Sequence, residues 1–276
     1  HGGPLKLGTG FRLLANRAKS IGLTALMVLI FAYLVLVLTP FGQSIDDQAF
    51  LARGDIGSAT KKDASRILSL IGISSVAIAL LGIWLISRLE GSRLSPLRAI
   101  SAFLGCVVSA EILKLVLPRP ELDALYEASL VNKDFNTFPS GHTTIAMGLA
   151  LVLVSMSPSR HRHIAAAVGL GFTLVIASSV VLAGWHRPSD AIGGIALSAA
   201  VFSLLVFTNE SFAERAARFS NAAVFALGLV GIGVLVWVLR LPSHADGSLT
   251  WLLVFLALIL VTASYFVLAL MRKVSV

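Results

Sequence analysis

Eight apolar runs punctuate the chain, at 21–40, 67–87, 98–117, 141–157, 164–184, 188–207, 221–239 and 250–270. Each is close to the ~20 residues that a helix needs to cross a bilayer. Only helices satisfy their backbone polar groups in such long lipid-facing stretches. The pattern therefore predicts an all-α, polytopic membrane helical bundle. Residues 1–207 form a six-helix core in this reading, and 208–276 add two C-terminal spans. Most polar intervals are short. The interval 41–66 is longer and mixed in charge, with Asp46, Asp47, Arg53, Asp55, Lys61, Lys62 and Asp63. It is expected to lie outside the bilayer as a short interfacial helix or cap, a solvated connection rather than a substrate lid.

Composition strengthens the membrane reading. The chain is 57% hydrophobic and 13% charged, against roughly 25% charged in soluble domains. The formal net charge of +8 invites a nucleic-acid partner, but the basic residues are scattered over short loops between spans. Topology accounts for them: with the N-terminus inside, Arg88 to Arg98 and Arg160-His161-Arg162 fall on the cytoplasmic side. Both termini are then cytoplasmic in a multi-pass cell-membrane protein that has no nucleic-acid partner. His1-Gly2-Gly3-Pro4 reads as an expression remnant. No cleavable signal is expected, since the first apolar run has the length of a full span. The single cysteine, Cys106, rules out an internal disulfide and a thiolate cluster, and its place within an apolar run points to packing.

Candidate chemistry collects at three polar–apolar boundaries. Phe138-Pro139-Ser140-Gly141-His142-Thr143-Thr144 opens the fourth run, where Ser140 is a good N-cap. The free amides of that first turn, Gly141 included, form an anion site, with His142 beside it. In the third run, Glu111 and Lys114 share a helix face. They fit a structural ion pair with a snorkelling lysine. The following Pro118-Arg119-Pro120 argues for function: prolines end the helix and fix Arg119, so Lys114 and Arg119 can clamp an anionic oxygen. In His186-Arg187-Pro188-Ser189-Asp190, His186 and Asp190 are four apart at a helix start. The carboxylate can accept from one imidazole nitrogen and leave the other free as base or nucleophile. An interfacial histidine with a capping aspartate is the plainer alternative. Counting spans puts all three boundaries on one membrane face, so these residues can converge.

These motifs together, Lys…Arg-Pro, Pro-Ser-Gly-His and His-x3-Asp on successive membrane helices, resemble the type 2 phosphatidic acid phosphatase superfamily over roughly residues 67–207. Pro139-Ser140-Gly141-His142 matches in full, and His186 and Asp190 match the end of the third motif. The family's first motif is Lys-x6-Arg-Pro; here Arg119 stands two positions early and Glu121 holds the usual Arg position. The third motif reads Ser-Arg-x5-His-x3-Asp; Ser179 is present, but Val180 replaces the phosphate-binding Arg. Arg119 and Arg187 are the candidates to fill that gap.

The resemblance implies a metal-independent phosphatase that cleaves a phospholipid or polyprenyl phosphate at an extracytoplasmic site without a cofactor. It implies His186 as nucleophile, Asp190 as its orienting partner and His142 as acid and base. Lys114, Arg119, Ser140 and Gly141 would hold the phosphoryl oxygens. A phosphotransferase with the same intermediate is the rival within the enzyme class. A non-catalytic lipid-phosphate binder or transporter is the rival outside it, and two retained imidazoles argue against that. No metal-ligand cluster is evident; His161 and His163 fall in the opposite loop as solvated residues. The loop 118–140 is net acidic through Glu121, Asp123, Glu127 and Asp134. Folding away from the site, a cationic group on the substrate and a bound divalent ion all fit it. The small residues of span six fit close helix packing better than room for a lipid tail.

Overall fold

The computed structural model describes residues 20–86, 88, 94–120, 122, 136–207 and 248–271. Among them every regular element is helical. Helix α1 spans Ser20–Val37 and ends in a π-helical turn from Ala32. Helix α2 is Pro40–Leu51, with a 3₁₀ turn at Ala52–Asp55 behind it. Then come α3 (Ser58–Ser69), α4 (Ile73–Ile86), α5 (Pro96–Val116), α6 (Gly141–Met156), α7 (Arg162–Leu182), α8 (Pro188–Phe207) and α9 (Ser248–Met271). Five of these, α1, α5, α7, α8 and α9, are long and apolar enough to cross a membrane.

Helix α6 is the hub. It packs against α5, α7, α8 and α9, which explains why it is apolar nearly all round rather than along one stripe. Its 16 residues rise only about 24 Å, less than the hydrocarbon thickness. The small residues of α8 serve close packing. A side chain on Gly193 would meet the Phe138 ring at 2.5 Å, and one on Gly194 would meet the Ser140 carbonyl oxygen at 2.7 Å. Ser198 stitches the same seam, donating to the carbonyls of Thr144 (3.0 Å) and Gly194 (2.9 Å). Cys106 is fully buried in this core.

Three expectations meet the structure differently. The predicted span 67–87 is broken: α3 and α4 are bent by 59° around residues 70–73, where Gly72 interrupts the helix. Predicted span 221–239 and the acidic residues Glu121, Asp123, Glu127 and Asp134 lie outside the described residues. The interval 41–66 is helical, as expected of a cap, but its α2 half is not solvated. Asp46 and Asp47 are buried, because their carboxylates reach arginines on other segments. Helix α9 lies against α2, α6, α7 and α8.

Candidate active site

The C-terminal end of α5, the start of α6 and the α7–α8 junction meet at one end of the bundle. Ser140 caps α6 as its sequence suggests: its Oγ accepts from the Thr143 amide at 3.4 Å and its carbonyl from the Thr144 hydroxyl at 2.8 Å. Ser140 also donates its own amide to the Asp190 carbonyl at 2.9 Å, which ties the mouth of α6 to α8. Among the described residues the cap leaves the amides of Gly141 and His142 as the free donors of that turn. Ser140 itself is fully buried, so its hydroxyl serves the cap.

Helix α7 ends in a Schellman motif. Gly184 adopts φ 77°, the left-handed conformation that side chains resist. The Trp185 amide then reaches the Val180 carbonyl at 3.0 Å and the Gly184 amide reaches Val181 at 3.0 Å, the paired bonds of that cap. The His186 amide bonds the same Val180 carbonyl at 3.1 Å. The backbone that presents His186 is thus fixed by the helix it leaves. Helix α8 follows at once, and Asp190 in its first turn accepts from the Arg187 amide at 3.0 Å, the reciprocal half of a capping box.

Asp190 also lies 3.3 Å from His186 Nδ1. With Nδ1–H directed at the carboxylate, Nε2 keeps its lone pair. The His142 ring stands 6.5 Å from the His186 ring, centroid to centroid, and 5.3 Å edge-on from Trp185. Lys114 Nζ pairs with Glu111 at 2.7 Å and lies 3.0 Å from where a side chain on Gly141 would begin. Lys114 is therefore ion-paired and at the same time stands at the mouth of α6.

Arg119, expected as a phosphate clamp, turns its fork elsewhere. One arm donates to Asp190 at 2.7 Å and the other to Asp46 at 2.9 Å. The segment carrying it is pinned: Tyr33 donates to the Pro118 carbonyl at 2.8 Å, and Gln43 donates to Pro120 at 2.5 Å. Asp46 in turn accepts from the Ser189 amide at 2.8 Å and the Ser189 hydroxyl at 2.5 Å, filling the anion site at the start of α8. Burial pushes the Asp46 carboxyl up to about 6, against the opposing pull of Arg119. Arg187, the other candidate for the missing cation, bonds Asp47 through Nε. Val180 is fully buried.

Sequence reasoning missed Asp46, Asp47, Gln43 and Tyr33, which hold the site from behind. It also missed Asn136, whose side chain donates to the carbonyls of Lys114 and Leu117 and accepts from the Phe138 amide at 3.0 Å. Asn136 thereby joins the end of α5 to the start of α6. The signal that points to α2 is Thr39-Pro40, an N-cap followed by proline at N1, ahead of two adjacent aspartates. Among the described residues no group of three or more His, Cys, Asp and Glu side chains forms a metal-binding arrangement.

An imidazole–carboxylate pair facing a second imidazole thus stands at one end of an apolar bundle of membrane-spanning helices. Residues 95–214 match the model of the PAP2 superfamily, the group that the sequence motifs resemble. The fold is similar to the crystal structure of a transmembrane PAP2-type phosphatidylglycerolphosphate phosphatase from Bacillus subtilis. That likeness has a TM-score of 0.52 at 22% identity and covers 68% of this chain and 94% of the bacterial one. No curated protein matches the chain in sequence. Asp46, Asp47 and the rest of α1–α4 precede the matched segment.

Proposed function

We propose that this protein is a metal-independent membrane phosphatase that removes phosphate from a lipid phosphate or polyprenyl (di)phosphate through a phosphohistidine. The observation that carries it is the His186–Asp190 pair at 3.3 Å with the His142 ring across from it. His186 Nε2 attacks phosphorus, forming an N–P bond while the P–O bond to the lipid breaks. His142, protonated, gives its proton to the departing oxygen. Asp190 holds the ring and stabilises the imidazolium character that develops on His186. Water then attacks the phosphohistidine, His142 takes a proton from it, and the N–P bond breaks to release phosphate and restore both imidazoles. The amides of Gly141 and His142, with Lys114, face the charge that accumulates on the phosphoryl oxygens. Arg119 acts through Asp190 and Asp46 as a positioning residue.

Phosphate release in detergent with EDTA tests this reading. The panel is phosphatidic acid, phosphatidylglycerol phosphate, polyprenyl phosphate and polyprenyl diphosphate, with His186→Ala as the control. Turnover that disappears in the variant supports the phosphatase and names its lipid class. Product that requires an added alcohol acceptor would make it a phosphotransferase. Silence on all four lipids by the wild type would remove the enzymatic reading and favour a binder.

A further inference from the structure

The third motif lacks its phosphate-binding arginine, and both arginines nearest the site are spoken for, Arg119 by Asp46 and Asp190, Arg187 by Asp47. A third guanidinium stands closer to the α7 terminus than either sequence candidate suggests. Arg53, in the 3₁₀ turn behind α2, lays its guanidinium on the backbone of Gly184: a side chain there would meet Arg53 Cζ and an Nη at 2.7 Å. Gly184 is one helical turn beyond Val180 and two residues before His186. The Phe50 ring supports the arrangement, with Arg53 Cζ 4.4 Å and Arg187 Cζ 5.9 Å from its centroid.

The two guanidiniums on that ring differ in one respect. Arg187 has its carboxylate. Among the described residues Arg53 has no ion-pair partner, and its Nε is buried without a hydrogen bond. Burial accordingly lowers its pKa, with no anion opposing the shift. A guanidinium held by packing alone, half-buried and unpaired, is costly unless an anion completes it. Its planar fork suits two oxygens of one phosphoryl group.

We infer that Arg53 supplies the phosphate-binding cation absent at Val180, reaching the phosphoryl group from the segment between the first two spans. This rests on the phosphatase reading for the identity of the ligand, and it places a specificity contact in a stretch the family motifs do not include. The geometry makes Gly184 part of the same device, since only a residue without a side chain leaves the guanidinium its seat.

The test compares wild type, Arg53→Gln, Arg53→Lys and His186→Ala in detergent, by lipid-phosphate turnover and by the Kd for orthovanadate. Thermal unfolding is the check on folding. Arg53→Gln is expected to lower kcat/KM and to raise the vanadate Kd by about 10- to 100-fold each, the usual size of one charge-assisted contact. Arg53→Lys is expected to recover part of both. A stabilising role alone would move the unfolding temperature and leave the vanadate Kd where it was. If the wild type turns over lipid while Arg53→Gln matches it in kcat/KM and Kd, the inference about Arg53 falls and the phosphatase stands. If the wild type is silent on lipid, the phosphatase reading falls. The vanadate Kd then still decides: equal values, or no binding by the wild type, overturn the role of Arg53.

Discussion

Arg119, expected from its motif to clamp a phosphate, is held by two carboxylates of the protein itself. The sequence singles it out between two prolines, and the structure gives it two buried carboxylates instead of an open face toward substrate. Removing it would leave Asp46 and Asp190 as adjacent buried charges with no cation between them. Arg119→Ala is therefore expected to cost about 3–5 kcal/mol of stability, the usual penalty for orphaning a buried pair, seen as a large drop in the unfolding temperature. Arg119→Lys should rescue little, because an ammonium lacks the fork that bridges two acceptors. An Arg119→Ala protein with normal stability and only a raised KM would return the residue to the substrate. Asp46 permits a second check. Its carboxyl sits near 6, raised by burial from the 3.8 of an exposed one. The native state then binds more protons than the unfolded chain between those values, so this group's contribution to stability falls as pH rises from about 4 to 6. The unfolding temperature of wild type, measured against Asp46→Asn, is expected to decline across that window; parallel curves would mean that Asp46 titrates normally. His142, His186, Asp190 and Ser140 were legible because each belongs to a local pattern, a cap or a four-residue spacing. Asp46 was not, since its partner Ser189 lies 143 residues away.

At the level of elements, the seam between α6 and α8 decides where the proposed catalytic groups, His142 and His186, stand relative to each other. Gly194 backs directly on the Ser140 carbonyl, so even one methyl would push on backbone rather than on a flexible side chain. Gly194→Ala leaves every charged residue in place and shifts the mouth of α6, and with it His142, relative to His186. Misplacement by about 1 Å at a reacting centre can cost on the order of 10²-fold in rate. Gly194→Ala is thus expected to lose most phosphate release while retaining helical content by circular dichroism; near-normal turnover would show that the seam can relax. The apolar period revealed the spans well because hydrophobicity is a property of a window. The break in span two escaped it, since Leu70-Ile71 and Ile73 keep the window apolar while Gly72 interrupts the helix. The polar α2 escaped for the opposite reason. A charged stretch between spans looks solvated until its partners are known, and Arg119 and Arg187 lie 73 and 140 residues further along.

For the molecule as a whole, the span count and the loop charges together predict which face of the membrane holds the site. Span counting puts the ends of α5 and α7 and the start of α6 together, and the hydrogen bonds that join them agree. Counting alone is indifferent to insertion; the charge bias of the short loops supplies the direction, and it predicts a site outside the cytoplasm. The protein is well suited to a direct test because Cys106, the single cysteine of the chain, has 0% exposure and should resist aqueous maleimides. Thr60, exposed on α3 near the site end, and His161, exposed at the start of α7 on the opposite end, are suitable places for a reporter. In intact cells, Thr60→Cys is expected to react with a membrane-impermeant maleimide, and His161→Cys only after permeabilisation, with wild type unlabelled throughout. The reverse pattern would put the site in the cytoplasm, where the basic loops would have to be explained by something other than topology. Labelling of both positions from one side would contradict the bundle itself, because it would require an even number of crossings between α3 and α7.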